Sequence, residues 1–477
     1  MSYLKTRNRG VGSVKDHHGR HGDTDTIYYN CDIVNGRVVD TGSGNNPSAS
    51  FNETRDMPII KDASKYDFSI VRFSINGANK SLPLFIPSIN EGTTAIPNTN
   101  RDLTNYSVTL YIVLTDAAGA PVVNPVPLPN APTNAWLSTQ SIIWAPENTD
   151  ALVPLAPSAN NNSVDLDSSY YYCYTYQHWL DLVNFSFQSC ITAAVGAPGN
   201  ALGGIQTQIT AAGLPYLIQS RPPQMLWNES TGLFQLRCDT LGWGGNQPTG
   251  LPVSAILQGR QLNGVPGVAN EDWRLYWNAN FQGLFSNFDT IYNGTLEPLA
   301  YQVFIHPENI ELATDNRGVV APAVVAPAIS GTGEVFYVNS QDYESTSSLW
   351  SPIESIVFVS TLLPVIKEQT GQPIRFGANT NATSTTTASA FQPIVTDMVV
   401  HQDTGQGYRD FISYVPSGEY RITSLTNSVK EVQDVDIQVY WKRRLDGNLV
   451  PLEMYNLSSI SIKMMFRRRS INVKQIM

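Results

Sequence analysis

Phe411-Ile412-Ser413-Tyr414-Val415-Pro416 turns at Ser417-Gly418 and resumes as Glu419-Tyr420-Arg421-Ile422-Thr423-Ser424-Leu425. The next run, Val435-Asp436-Ile437-Gln438-Val439-Tyr440-Trp441, alternates apolar and polar side chains more cleanly than any other stretch. At two residues per repeat, Val435, Ile437, Val439 and Trp441 share one side of a strand, with Asp436, Gln438 and Tyr440 on the other. A reversal at Asp446-Gly447 follows, a pair suited to the left-handed backbone of a tight turn. Ser459-Ile460-Ser461-Ile462-Lys463-Met464-Met465-Phe466 and three arginines close the segment. The pattern predicts antiparallel sheet with one buried face, and nothing in it resembles a catalytic constellation.

Composition extends this reading to the whole chain. At 477 residues there is room for two or three domains, or for one large β body with insertions. Charged residues make up only 15%, while 34 Gly, 30 Pro and 22 Tyr supply turns and strand positions, a poor mixture for helical bundles. No apolar run reaches the roughly 20 residues of a membrane-spanning helix. Met1-Ser2-Tyr3-Leu4-Lys5-Thr6-Arg7 lacks the apolar core of a secretory signal, so folding is expected in a reducing compartment. Cys31, Cys173, Cys190 and Cys238 have no CxxC or CxxH spacing and are expected as buried free thiols.

Charge is distributed unevenly. Residues 1–22 carry Lys5, Arg7, Arg9, Lys15 and Arg20 against Asp16, and residues 442–477 carry eight cations against Asp446 and Glu453. With a net charge of -10, the body between them holds -20. Basic ends on an acidic body suit arms that meet a polyanion or an acidic neighbour, or else solvated tails that aid solubility.

Along the chain, residues 1–25 read as a flexible basic arm. Residues 26–115 read as the first part of a β-sandwich, with strong strands at Ile27–Val34, Tyr66–Ile75 and Ser107–Thr115. Leu82–Pro87 reads as an edge or irregular strand, since proline cannot donate to a ladder. Residues 116–345 read as an insertion or second β-rich domain, with 116–168 a Pro-, Ala- and Asn-rich surface excursion. Its one main helix is Tyr176–Val195, where Trp179, Val183, Phe187, Cys190 and Ala194 share a face. A hairpin is expected at 225–238, aromatic strands at Trp273–Trp277, Thr290–Tyr292 and Tyr301–Ile305, and low-complexity loops at 311–333 and 377–391. Residues 346–469 close the sandwich, beginning with a buried strand at Ile353–Ser360, and 470–477 form a tail. The class is all-β, a jelly-roll sandwich, single or doubled, with long loop insertions.

Candidate chemistry is sparse. Val38-Val39-Asp40-Thr41-Gly42-Ser43-Gly44 looks like the signature of a pepsin-like aspartic protease, and a second triplet stands at Asp403-Thr404-Gly405. The second lacks flanking apolar residues, and the 363-residue separation is about twice that of a two-lobed enzyme. Asp-Thr-Gly is also an ordinary turn sequence. His17, His18 and His21 sit in the arm; His178, His306 and His401 stand alone; Glu354 and Glu368 lie in apolar surroundings without an evident partner. The aromatic richness could line a carbohydrate- or receptor-binding groove, though in a sandwich such residues more often fill a core or an interface. No catalytic, cofactor or metal residue is assigned, and the chain is expected not to be an enzyme.

Several segments in order resemble a known family. They are Phe51-Asn52-Glu53-Thr54-Arg55-Asp56, Tyr66–Phe73, Leu82–Pro87, Tyr176-Gln177-His178-Trp179-Leu180, Pro222-Pro223, Pro393-Ile394-Val395-Thr396-Asp397, Val439-Tyr440-Trp441 and Ile462–Arg468. The set is similar to jelly-roll penton and minor capsid proteins of small eukaryotic double-stranded DNA viruses, in the polinton-like virus, virophage and adintovirus grouping. The resemblance implies a non-enzymatic structural protein of an icosahedral virion, a pentameric capsomer at its vertices. Its implied partners are copies of itself, neighbouring capsid proteins, and the viral genome or an acidic internal protein through the basic termini.

Overall fold

The computed structural model describes residues 26–36, 47–77, 82–90, 92, 99–115, 135–147, 156, 168–195, 222–239, 270–294, 297–305, 310–313, 334–342, 350–370, 390–399, 411–414, 422–445 and 447–469. In chain order, β1 (Thr26–Val34), β2 (Ser50–Thr54) and β3 (Tyr66–Asn76) come first. They are followed by β4 (Leu103–Thr115), β5 (Ala135–Ile143), α1 (Tyr176–Val195), β6 (Gln224–Asn228), β7 (Leu233–Asp239) and β8 (Asn270–Trp277). Next are α2 (Ala279–Leu284), β9 (Thr290–Tyr292), β10 (Tyr301–Val303), β11 (Ile310–Ala313) and β12 (Glu334–Ser340). The rest is β13 (Ile353–Val359), β14 (Glu368–Thr370), β15 (Ala390–Gln392), β16 (Ile394–Met398), β17 (Phe411–Tyr414), β18 (Thr423–Ser424), β19 (Asp434–Arg443), β20 (Leu449–Pro451) and β21 (Ser459–Arg468).

The chain divides into two compact units, one made of residues 1–82, 352–401 and 409–477, the other of 83–351 and 402–408. The first unit holds two antiparallel sheets, ordered β1-β21-β3-β17 and β16-β13-β19-β2. β18 extends the β17 edge of β3, and β20 pairs with β19. Apart from β13 and β16, successive principal strands pass from sheet to sheet, so most neighbours in a sheet are distant in sequence. Eight principal strands in this order make a jelly roll. The segment 411–469 is therefore not one sheet, as its pattern suggested: β17, β18 and β21 lie in the first sheet and β19 and β20 in the second.

Alternation decides which faces meet. Tyr29, Cys31, Phe68, Phe73, Ile460, Ile462, Met464 and Phe466 are buried from the first sheet, and Ile356, Phe358, Val435, Ile437, Val439 and Trp441 from the second. Phe73 of β3 meets Phe358 of β13 edge to face at 4.8 Å, joining the sheets, and Phe68 meets Phe466 at 4.9 Å. Each such buried ring contributes about 1.5–3 kcal/mol of transfer free energy. The second sheet also buries side chains on its other face: Val357, Val359 and Ile394 pack with Tyr440 and Leu449. The expectation of a single buried face fails there, because β13 is apolar at consecutive positions.

The second unit carries a β5-β4-β8-β10-β9 sheet and a β11-β12-β7-β6 sheet, so the doubled jelly roll is not what the described residues form. β4, expected with the first part of the sandwich, belongs here, paired with β5 and β8. The expected helix stands at Tyr176–Val195, with Trp179, Val183, Phe187 and Cys190 buried. Asn184 ties it to a strand end: its amide accepts from Met225 N at 2.7 Å and donates to Met225 O at 2.9 Å. The β6–β7 hairpin turns where Gly232 adopts a left-handed φ of 69°.

Two elements depart from expectation. β5 lies inside the Pro-rich excursion and pairs with β4 over most of its length. α2 is a second helix, capped where Asn278 accepts from Phe281 N at 3.1 Å. The aromatic residues fill this unit's core. Trp350 stacks on Phe234 at 4.9 Å, contacts Phe85, Tyr176 and Phe285, and donates from Nε1 to Leu284 O at 3.0 Å.

Candidate assembly surfaces

Asp40, Asp403, His17, His18, His21, His306 and His401 lie outside the described residues, as does the side chain of Glu368. His178 is buried in the second unit, its Nε2 2.8 Å from Ala145 O and its ring 4.9 Å from that of Trp144. Those contacts give it a packing role. Glu354 is exposed and pairs with Lys442 Nζ at 3.0 Å. Cys31, Cys173, Cys190 and Cys238 are all buried free thiols. Burial pushes the Cys31 and Cys190 thiols up to about 12 and raises that of Cys173 further, which keeps them un-ionised and unreactive. Among the described residues no group of His, Cys, Asp and Glu is arranged to hold a metal ion.

What the first unit presents instead are sheet edges and one charged face. β1 is an outer strand of its sheet and β2 of the other. Their facing side chains form a clasp: Tyr29 Oη donates to Glu53, Arg55 Nε lies 3.1 Å from Glu53 Oε1, and the Arg55 guanidinium sits 5.3 Å from the Tyr29 ring centre. Burial and the Glu53 carboxylate push the Tyr29 hydroxyl up to about 12, so it remains a donor. Away from the core, β1 exposes Tyr28 and Val34.

On the same outer face, Lys463 stands opposite Asn30 on β1 and opposite Arg72 on β3. Its Nζ lies 4.9 Å from the centre of the Tyr28 ring. Arg467, exposed, pairs in register with Thr26, the first residue of β1. The next arginine but one is fixed: Arg469 Nε meets Asp67 Oδ1 at 2.8 Å, and its other nitrogens donate to Leu425 O at 2.8 Å and Asn427 Oδ1 at 3.3 Å. Asp67 also accepts from Ser424 Oγ at 3.0 Å, so this arginine knits the ends of β21, β3 and β18 together.

Asp436 is the residue that alternation alone misplaced. Read as merely outward-facing, it is buried on β19 and receives four donors from the chain just after β13. Ser360 Oγ and Leu362 N reach Oδ1, the latter at 2.8 Å; Thr361 N and Oγ1 reach Oδ2 at 2.8 and 2.7 Å. Burial by itself would raise its pKa, but these donors outweigh it and hold the carboxyl below the ordinary carboxylate value. Asp-to-Ser-Thr bonding across 75 residues leaves no local spacing, and on the polar side of an alternating strand Asp436 carried no signal of it.

The model of the Sputnik minor capsid protein V18/19 family matches residues 27–468. The chain belongs to that family. A Sputnik virophage relative, the uncharacterized protein V18, is 29% identical over 180 residues, 37% of this chain and 89% of the relative. A chain of the cryo-EM structure of the Sputnik virophage superposes with a TM-score of 0.59 at 21% identity, covering 94% of this chain and 98% of that one. The mavirus penton protein gives 0.46 at 12% identity, covering 94% and 100%. This member of the V18/19 family is thus a minor capsid protein, a structural component of the virion that assembles with other capsid proteins. The all-β resemblance read from the sequence is the family found here.

Proposed function

We propose that this V18/19-family chain closes into a ring of five copies that fills the vertices of an icosahedral shell. One observation carries the reading: the described residues form a single jelly roll. A ring of such subunits presents as many rolls as it has copies, and an icosahedral vertex has five-fold symmetry, so its subunits close as a pentamer. The outer strands β1 and β2, with exposed Tyr28 and Val34, supply edge backbone and apolar contact for neighbouring copies. The role is structural rather than enzymatic, and four buried thiols suit synthesis in the reducing host cytoplasm.

Light scattering on the purified full-length protein, with negative-stain microscopy, tests this. Five-fold rings are expected. Stable dimers, trimers or hexamers overturn the vertex role, and acid-pH peptide cleavage abolished by Asp40→Asn would move the protein to the protease class. Removal of residues 1–22 is expected to leave the fold intact and lower incorporation into shells; unchanged particle yield argues against a role for the arm.

A further inference from the structure

We infer that the two outer margins of the first sheet pair with each other between neighbouring copies: β17 of one copy adds, antiparallel, to the free edge of β1 of the next, with Ser413 opposite Asp32. The inference rests on the ring reading above and names the surfaces that close it. A ring of more than two copies cannot use a single patch, because each copy must offer a different surface to each of its two neighbours. β1 is one such surface, and the strand order β1-β21-β3-β17 puts β17 at the opposite margin. Among the described residues β1 is laddered only to β21, and β17 only to β3.

The phase of the ladders shows which backbone groups are available. Asn35 N donates to Ser458 O, so the odd-numbered residues of β1 bond toward β21. The N–H and C=O groups of Thr26, Tyr28, Asn30, Asp32 and Val34 therefore point to the open edge, a nine-residue template for another strand. Carried across β21 and β3, the same alternation turns Ile412 and Tyr414 toward β3 and leaves the backbone of Phe411 and Ser413 facing outward. Strand directions fit as well. Every one of these ladders is antiparallel, so β1 and β3 run one way and β21 and β17 the other. A rotation axis along the strands keeps those directions from copy to copy, and β17 meets the next β1 as one more antiparallel pair.

The side chains agree at two levels. Asp32, Ser461, Ser74 and Ser413 form one cross-strand row on the outer face, with Asp32 at one end and Ser413 at the other. Both end residues are exposed, and neither side chain makes a hydrogen bond among the described residues. Between copies the row closes with a serine hydroxyl donating to a carboxylate, a charge-assisted bond. Setting Ser413 opposite Asp32 also sets Phe411 opposite Val34, so both outward-facing residues of β17 meet outward-facing residues of β1. Lower on the same face Tyr28 is level with Met465 and Ser69, and Ile422, just before β18, takes the next place in that row. Tyr28 and Ile422 are both exposed, an apolar contact in step with the polar one.

The test is disulfide trapping between copies of the full-length protein. Cα atoms of a hydrogen-bonded antiparallel pair are about 5.5 Å apart, within disulfide reach, whereas positions 32 and 413 of one copy are three strand spacings apart, roughly 14 Å. The oxidised double variant Asp32→Cys, Ser413→Cys is expected to give a non-reducing gel ladder ending at the pentamer, with each single variant monomeric. Ser413→Asp sets two carboxylates together and should raise the concentration at which rings half-form by about tenfold, and adding Asp32→Lys should restore it. Rings that yield no ladder, or that ignore Ser413→Asp, overturn this inference and leave the vertex role standing. Dimers trapped by Asp32→Cys alone also overturn it, since they show β1 pairing with β1 about a two-fold axis. Open cross-linked chains longer than five copies keep the β17–β1 pairing and remove the vertex role; protein with neither rings nor cross-links overturns both.

Discussion

Asp436→Asn removes one charge and exchanges one oxygen for an amino group, with almost no change in volume. The side-chain carbonyl of asparagine can serve the pair of donors now on one carboxylate oxygen. Its amino group then faces the other pair. If it replaces Oδ2, the Thr361 hydroxyl can rotate to accept, but the Thr361 N–H, now 2.8 Å from its acceptor, cannot. If it replaces Oδ1, the Leu362 N–H is stranded in the same way. A buried donor left without an acceptor costs about 1–3 kcal/mol, and loss of charge assistance weakens the surviving bonds, for about 2–4 kcal/mol in all. For a unit of roughly 200 residues this lowers the melting temperature by on the order of 10 °C.

The pH dependence supplies an independent check. A carboxyl held below its ordinary value stabilises the fold fully above its unfolded pKa, about 3.9, and that stability is lost as pH falls through the folded value. The asparagine variant has no such contribution, so its deficit against wild type should be largest at neutral pH and shrink below about pH 4. Melting at several pH values gives the deficit, and hydrogen exchange at Thr361 and Leu362 gives the local opening. Unaltered exchange at both amides, or a deficit that does not vary with pH, refutes the reasoning.

Trp441 is buried in the first unit's core opposite Ile356, and Trp441→Ala should cost about 3–5 kcal/mol in denaturant unfolding; an unchanged midpoint would mean the ring does not face the core. Arg469→Gln breaks a pair that is about a quarter exposed, so its loss should be modest, about 1–2 kcal/mol, and smaller in high salt. Faster exchange of the Leu425 and Ser424 amides should accompany it, and no change there would deny the arginine its joining role. The four thiols should resist neutral alkylation in the native protein and all react once it is denatured; rapid native labelling of any of them contradicts their burial.

Local periodicity was legible where one element faces one core. The alternation of Val435–Trp441, the 3.6-residue stripe of Tyr176–Val195 and the Gly232 hairpin each carry their own signal, and each stands in the structure. β5 escaped because Ala135–Ile143 is flanked by Pro-rich sequence and gains its strand state from pairing with β4 rather than from its own pattern. α2 is too short for a stripe, and only the Asn278 cap and the aromatic residues after it betray it. The division of 411–469 between two sheets was illegible, since period two tells which side chains share a face but not which strands share a ladder.

The insertion of residues 83–351 between β3 and β13 has a consequence for biosynthesis. Ser69 pairs with Met465, and Thr26 with Arg467, so the central strand of the first sheet is synthesised only after the whole inserted unit. Contacts of such sequence separation form late and slowly, while the contiguous inserted unit can fold as it leaves the ribosome. A polypeptide released early lacks β21, leaves β1 and β3 without the strand between them, and offers no finished wall to a neighbour. Synthesis of β21 thereby acts as a licence for entry into the shell, one enforced by topology with no separate checkpoint.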